Sequence, residues 1–373
     1  MKTINFNQVI DALLDDAANF PVSYLLTLSD ITPANLVMLK QSWGQISPVR
    51  KSHLMESIEL VHEEEITSNF EDIAEIALDD PNSPVRTIAL RLFMDFEKPR
   101  LIQKFIHLMT TDPDIEVRSQ AAIVLGKYVY LLETDAIDER YRNPLEEALI
   151  KVIKSDDHEI VRQKALESFG FSSHDSVKEN IYYAYHSGDR NWITSALEAI
   201  GRSADESYEG LVLPMLAHPD LRIQKAAVFA AGELELATTR KLLMRMALET
   251  NGDEDLWVEA VSALSKIGGE GVVEVFELLL ERAESDEEEE FLNEAMEELN
   301  LTNGLALDFD LLGIRKPDTS ELRETDISDD DFDIEDYEPS WVDDLEERLA
   351  QKLDSLNGMG DFDENDDLDE DDD

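Results

Sequence analysis

The stretch VRSQAAIVLG (117–126) decides the fold, because the chain repeats its pattern five more times. VRTIALRLF starts at Val85, VRQKALESFG at Val161, WITSALEAIG at Trp192, IQKAAVFAAG at Ile223 and LWVEAVSALSKIG at Leu256. With the first residue of each numbered zero, position +4 is Ala89, Ala121, Ala165, Ala196, Ala227 and Ala260. Position +8 is always apolar: Phe93, Leu125, Phe169, Ile200, Ala231 and Leu264. Apolar residues at 0, +4, +5 and +8 line one face of a helix. The repeated alanine marks where a neighbouring helix comes closest. Gly126, Gly170, Gly201 and Gly232 at +9 mark a second close approach, since glycine otherwise weakens a helix.

Working outward, each such helix follows a polar turn and another apolar helix. The preceding helices are expected in 101–109, 145–153, 177–185 and 242–248. Asp80, Asp112 and Asp156 stand five residues before position zero, and Asp189, Asp220 and Asp253 stand three before it. Both placements suit turn and N-cap chemistry. Ser47-Pro48-Val49-Arg50 and Ser83-Pro84-Val85-Arg86 read as a capping serine with proline at the first helical position. Val49 then opens a weaker first unit, with His53 in the alanine place. Phe291, Ala295, Met296 and Leu299 make an eighth. The starts are 36, 32, 44, 31, 31, 33 and 35 residues apart. The long interval implies an insertion of about a dozen residues, placed in ETDAIDERYRNP (133–144).

Helix pairs at this interval stack into a solenoid. The turn motif D-x4-V-R with alanine at +4 is whole at Asp80/Val85/Arg86, Asp112/Val117/Arg118 and Asp156/Val161/Arg162. It resembles HEAT repeats, in the short variety typified by phycobilisome-lyase-like proteins, over residues 34 to 300. The resulting expectation is an all-α, right-handed α-solenoid of about eight stacked helix pairs, followed by a disordered acidic tail. Residues 1–33 are expected to cap the array, 34–303 to form the solenoid, 304–317 a linker and 318–373 the tail.

Composition narrows the function. The chain of 373 residues carries 85 acidic and 32 basic groups, a net charge of −53, and no cysteine. Without cysteine there are no disulfides, thiolate metal sites or thiol nucleophiles. The charge disfavours nucleic acid and anionic membranes, and no apolar run reaches spanning length. A reducing, cytoplasmic location fits this composition. Asp318–Asp373 alone holds 26 acidic and 3 basic residues, too charged and too poor in apolar surface to compact.

Catalytic and metal motifs fail one by one. HEAT-type deoxyhypusine hydroxylases hold two irons with His-Glu pairs near the starts of second helices, and no such pair stands there in this chain. His62-Glu63 and His158-Glu159 fall elsewhere, at a helix end and in a turn. Asp361, Asp363 and Asn365 match the first ligands of an EF-hand loop, but the turn glycine and the bidentate glutamate are missing. No catalytic residue, metal or cofactor is expected. The lyase resemblance leaves one enzymatic alternative: an accessory factor or lyase-like enzyme acting on a chromophore or modified protein.

The preferred reading is a non-enzymatic scaffold that binds a protein partner. In HEAT arrays the second helices line the concave side, so the resemblance implies that positions +2, +3, +6 and +10 face a groove. Lys51, Arg91, Lys127, Lys164, Arg202, Lys225 and Lys266 form a loose basic ladder there, the candidate partner-binding residues. Arg50, Arg86, Arg118 and Arg162 at +1 are expected instead to bridge turn aspartates of neighbouring units. In the tail, SWVDDLEERLAQKLDSL (340–356) places Trp341, Leu345, Leu349 and Leu353 on one stripe, which suits helix-in-groove docking. The tail is therefore expected to be a second contact for the partner or an intramolecular competitor for the groove. The alternative is an acidic-tail chaperone for basic proteins.

Overall fold

In the computed structural model, residues 4–64, 68–249, 253–283 and 285–311 are described. Among them every regular element is helical. The described residues divide into two compact units, one up to residue 204 and one from residue 205.

In the first unit α1 (Phe6–Leu14), a 3-10 segment (Val22–Leu28) and α2 (Pro33–Trp43) precede the repeated pairs. The second helices are α3 (Pro48–Glu64), α5 (Ser83–Leu92), α7 (Ile115–Glu133), α9 (Glu159–Phe169) and α11 (Arg190–Ser203). Each packs on the next: α3 on α5, α5 on α7, α7 on α9 and α9 on α11. Between them run the first helices α4 (Glu71–Ala77), α6 (Ile102–Thr111), α8 (Arg142–Ile153) and α10 (Ser176–Tyr185). In the second unit α13 (Leu221–Glu233), α15 (Glu254–Ile267) and α17 (Asp286–Leu311) stack in the same way. Their first helices are α14 (Arg240–Leu248), α16 (Val272–Leu280) and, before α13, a broken one. That one holds a single turn, α12 (Glu209–Val212), between 3-10 segments, with Pro214 removing a backbone donor.

The repeat pattern explains the packing. All six +4 alanines are fully buried. Three of the glycines at +9, Gly126, Gly170 and Gly232, meet the residue at +7 of the next second helix. A Cβ on Gly126 would stand 2.7 Å from Ser168 Oγ, and one on Gly170 would stand 2.5 Å from the Ala199 carbonyl oxygen. A Cβ on Gly232 would stand 2.7 Å from Ala263 Cα. In the latter two the obstacle is backbone, so only glycine lets the helices approach so closely. The eighth unit follows the expectation in part: Ala295 and Leu299 are buried and Phe291 and Met296 half-buried, while Leu292, outside the expected set, is fully buried.

The turns are closed by side chains. Asp189 caps α11 through the Asn191 and Trp192 amides, Asp220 caps α13 and Asp253 caps α15. Arg86 donates to the Asp80 carbonyl of its own turn and, through two bonds, to the Asp112 carboxylate of the next. Arg118 likewise spans the Asp112 carbonyl and a carboxylate of the following turn. That carboxylate belongs to Asp157, not Asp156, which stays exposed. Arg162 reaches the Ile153 carbonyl and lies over the Trp192 ring, without an aspartate.

Three local expectations are corrected. Ser47 does cap α3, accepting from the Arg50 amide at 3.2 Å. Ser83 instead bonds the Asp114 carboxylate, which helps hold that group below its ordinary range. The first unit is also displaced by one residue. Val49 is 65% exposed and His53 is exposed, whereas Leu54, Met55 and Ile58 are buried. Arg50 thus takes position zero and Leu54 the alanine place. The cause lies ahead of α3: the Arg50 guanidinium is held by the Asp15 and Ala18 carbonyls after α1. The insertion is also distributed, because α7 runs on to Glu133 before a turn and a 3-10 segment at 139–141.

Candidate functional site

The register shift changes the basic ladder at its first rung. Lys51 now stands at +1, the position of Arg86 in the next unit. It behaves accordingly: it is 4% exposed and donates to Asp80 at 2.6 Å, with its ammonium 5.1 Å from the Trp43 ring centre. Asp80 also accepts from Trp43 Nε1 at 2.8 Å. Lys51 is a buried clamp, not a groove contact.

The other six rungs lie on second helices, and most reach one helix along the stack. Arg91 on α5 makes a two-pronged pair with Glu59 on α3, at 2.5 and 2.7 Å. Lys225 on α13 pairs with Asp255 on α15 at 2.6 Å, and Lys266 on α15 with Glu233 on α13 at 2.5 Å. Lys164 on α9 and Arg202 on α11 share Glu167, at 2.7 and 3.7 Å. Glu167 is buried and also accepts from Ser195 Oγ at 2.8 Å. Lys127 differs. It makes no ion pair among the described residues, and its ammonium donates to the Met94 carbonyl at 2.7 Å. Burial lowers its pKa, against the pull of Glu97 and Asp95.

Arg91, Lys164, Arg202, Lys225 and Lys266 are therefore already neutralised within the chain. The exposed pairs among them contribute little stability, but together they leave no unopposed positive field for a partner. The carboxylates that answer them were missed in the sequence. Their signal was present: Glu59 precedes Arg91 by 32 residues, Asp255 follows Lys225 by 30 and Glu233 precedes Lys266 by 33, each close to one repeat.

A second feature of the same helices was also missed. Near the C-terminal ends of the second helices of residues 1–204, large apolar side chains stand out. Leu60 on α3 and Tyr130 on α7 are more than half exposed, and Met94 just after α5 is more than a third exposed. Tyr130 meets the Phe171 ring edge-on at 5.8 Å, and Arg202 lies 5.7 Å from the Phe171 ring centre. Together with Arg91–Glu59 and the Lys127 bond to Met94, these contacts link α3, α5, α7, α9 and α11 in one row. These residues fall beyond +8, outside the repeated core positions, so the periodicity that exposes the core is silent about them.

Among the described residues no group of three or more His, Asp or Glu side chains could hold a metal ion. His62 Nε2 lies 3.1 Å from Asp95 and its ring packs on Phe96, while His158 stands at the N-cap of α9. Glu259 on α15 has its pKa raised by burial and by Glu233, against Lys266 and Lys225. Trp341, Leu345, Leu349 and Leu353, with the whole acidic tail, lie outside the described residues.

No protein-family model matches the chain, and no curated protein matches it. Solved structures are similar at low identity. The complex of CpcE and CpcF of phycocyanin lyase from Nostoc sp. PCC7120 is 18% identical, with a TM-score of 0.42 over 61% of this chain and 94% of that one. The Kap95:Nup1 complex is 14% identical, with a TM-score of 0.36 over 79% of this chain and 41% of that one. Human deoxyhypusine hydroxylase is 13% identical, with a TM-score of 0.27 over 79% of this chain and 96% of that one. The assignment of stacked, HEAT-like helix pairs rests on the chain's own repeat and helix contacts.

Proposed function

We propose that the chain is a non-enzymatic protein-binding scaffold. In this reading the second-helix face of residues 1–204 receives a protein partner, and the acidic stretch after residue 317 is a second contact or a competitor for that face. The observation that carries it is the exposure of Leu60 on α3, Met94 just after α5 and Tyr130 on α7, near the ends of three consecutive second helices that the Arg91–Glu59 and Lys127–Met94 contacts link. Stacked helices hold such side chains at fixed spacing, and exposed aromatic and methionine side chains supply much of the energy of protein interfaces. Recognition would then be apolar in its centre, with Lys127 as the cation left to answer an acceptor on the partner. The role first read for the ladder passes to this row, and the paired cations are its frame.

The test is a capture experiment from a matching lysate with three forms of the protein. These are the wild type, a Leu60→Ser/Met94→Gln/Tyr130→Ser variant, and a chain ending at Pro317. Loss of a wild-type partner from the triple variant, with helicity and melting temperature unchanged, supports the row as the contact. Stronger capture by the shortened chain assigns the tail to competition, and weaker capture assigns it to a second contact. Equal capture by the wild type and the triple variant removes the row from the reading.

A further inference from the structure

The exposed apolar side chains of the first unit stand among carboxylates that no lysine or arginine of the described chain answers. On α3, Glu56 and Glu63 flank Leu60 at helical spacings of four and three, so the three share one face. Just after α5, Asp95 and Glu97 follow Met94. All four carboxylates are exposed. Two contacts join the pieces. Arg91 on α5 is held by Glu59, the neighbour of Leu60, and His62 Nε2 lies 3.1 Å from the Asp95 carboxylate. Leu60 and Met94 are thus bracketed in sequence by residues that touch. Lys127 on α7 carries the patch on: its ammonium donates to the Met94 carbonyl, and Tyr130 follows it by three residues on the same helix. The local charge is negative. The Glu59 bond raises the Arg91 pKa against burial, and the fields of Glu116 and Glu63 add to that rise. Lys127, whose pKa burial lowers, feels Glu97 and Asp95 together.

We infer that the partner taken by this face is a cationic amphipathic protein segment, an inference that rests on the docking face proposed above. Its apolar side chains cover Leu60, Met94 and Tyr130, and its lysines or arginines answer Glu56, Glu63, Asp95 and Glu97 at the rim. Protein interfaces use this division, an apolar centre inside a polar rim. Potentials of opposite sign steer the encounter, and juxtaposed like charges suppress wrong partners. The stretch Asp318–Asp373, with 26 acidic and 3 basic residues, has the sign of the rim. Set against the face it meets repulsion, whereas a cationic partner attracts both. The acidic stretch therefore acts beside the face on the same partner and is not its occupant.

The experiment is fluorescence anisotropy of the full chain with two labelled peptides of one amphipathic pattern, the first built of leucine and lysine, the second of leucine and glutamate. The lysine peptide is expected to bind, more weakly as salt is raised, and the glutamate peptide to bind at least about ten-fold less tightly. Glu63→Gln/Asp95→Asn/Glu97→Gln should weaken the lysine peptide about five-fold or more. Glu289→Gln/Glu290→Gln/Glu294→Gln on α17 removes the same charge and should change binding by less than about two-fold. The chain ending at Pro317 should bind several-fold more weakly. If the variant with Asp95→Asn melts lower, Glu56→Gln/Glu63→Gln/Glu97→Gln takes its place. Equal weakening by the rim and α17 variants overturns the inference, as does tighter binding by the shortened chain or equal binding of the two peptides. If Leu60→Ser/Met94→Gln/Tyr130→Ser binds the lysine peptide as tightly as the wild type, the docking reading falls and this inference with it. Weakening in that variant, with the rim variants unaffected, overturns the inference alone.

Discussion

Residues 1–204 and residues 205–311 stack the same kind of helix pair on the same alanine and glycine positions, yet they close their turns differently. In the first region Arg86 and Arg118 at +1 each reach two places at once. Lys51, Arg86 and Arg118 bond the carboxylate of the next turn, and the two arginines also hold a carbonyl of their own. In the second region the +1 donor is neutral and stays within its unit. Gln224 Nε2 donates to the Leu216 carbonyl at 2.9 Å, and Trp257 Nε1 to the Ala247 carbonyl at 3.1 Å. Arg162 is intermediate, a cation that reaches the Ile153 carbonyl of its own turn and the Trp192 ring. Closing the unit's own turn is thus the shared requirement, and the charged link to the next unit is an addition. Close packing between second helices suffices to stack them. A buried ion pair gains little over an apolar replacement, but it makes the loss of either partner costly.

That difference can be broken most visibly at Asp112. Asp112→Ala strands the buried Arg86 guanidinium and should cost about 3–5 kcal/mol in urea unfolding. The Arg86→Met/Asp112→Leu pair should recover most of it. A cost under about 1 kcal/mol for Asp112→Ala would mean the clamp is not what holds these turns. The shared part of the comparison is tested next. Gly170→Ala in the first region and Gly232→Ala in the second each drive a methyl into backbone 2.5–2.7 Å away. Both should lose about 1–3 kcal/mol, despite the better helix propensity of alanine. Similar losses in the two regions would show that glycine contact is common currency; a loss in one alone would separate them. Smaller still are the rungs. Lys225→Ala or Asp255→Ala should change stability by about 0–1 kcal/mol, since Lys225 is partly and Asp255 largely exposed.

The finest contrast is in pH. Burial pushes the Asp157 carboxyl up, but the Arg118 bond and the His158 amide outweigh it and hold the group below its ordinary range. Asp114 is held low as well, first by the Ser83 hydroxyl. Their stabilisation is complete above the unfolded carboxylate value of about 3.9 and is lost as pH falls through their lower folded values. Glu259 in the second region runs the other way. Its raised folded value makes the ionised form unfavourable at neutral pH, and protonation relieves that as pH falls toward the unfolded value of about 4.3. Hydrogen exchange read by region should show α15 gaining protection between neutrality and about pH 4, where the Arg118 turn is unchanged. Glu259→Gln should flatten the first trend, and Asp157→Asn the loss below about pH 4. Parallel trends in both regions would contradict the assignment.

What was legible in the sequence follows from what repetition can encode. A side chain that must face a neighbour recurs once per unit, so Ala121, Gly126, Asp112 and Arg118 could be read as a set and fall where the spacing puts them. The same logic misled at the first unit. Ser47-Pro48-Val49-Arg50 and Ser83-Pro84-Val85-Arg86 are the same four residues, yet Val85 is buried and Val49 faces water. Identity of sequence lost to the carbonyls after α1, which draw Arg50 out of the repeat's role and pass that role to Lys51. The ladder failed for a related reason. A helical wheel shows which side a lysine leaves the helix, but not whether a carboxylate on the adjoining helix already meets it.

The sequence by itself determined the class of fold, the helix pairs, the positions of closest approach and the acidic stretch after residue 317, because each is a local or periodic property of the chain. Tertiary structure alone decided which cations are spent within the stack, which apolar side chains remain outside it, and where the register slips. Those depend on pairs of residues tens of positions apart. Their meeting is set by the packing of whole helices rather than by any pattern along one of them.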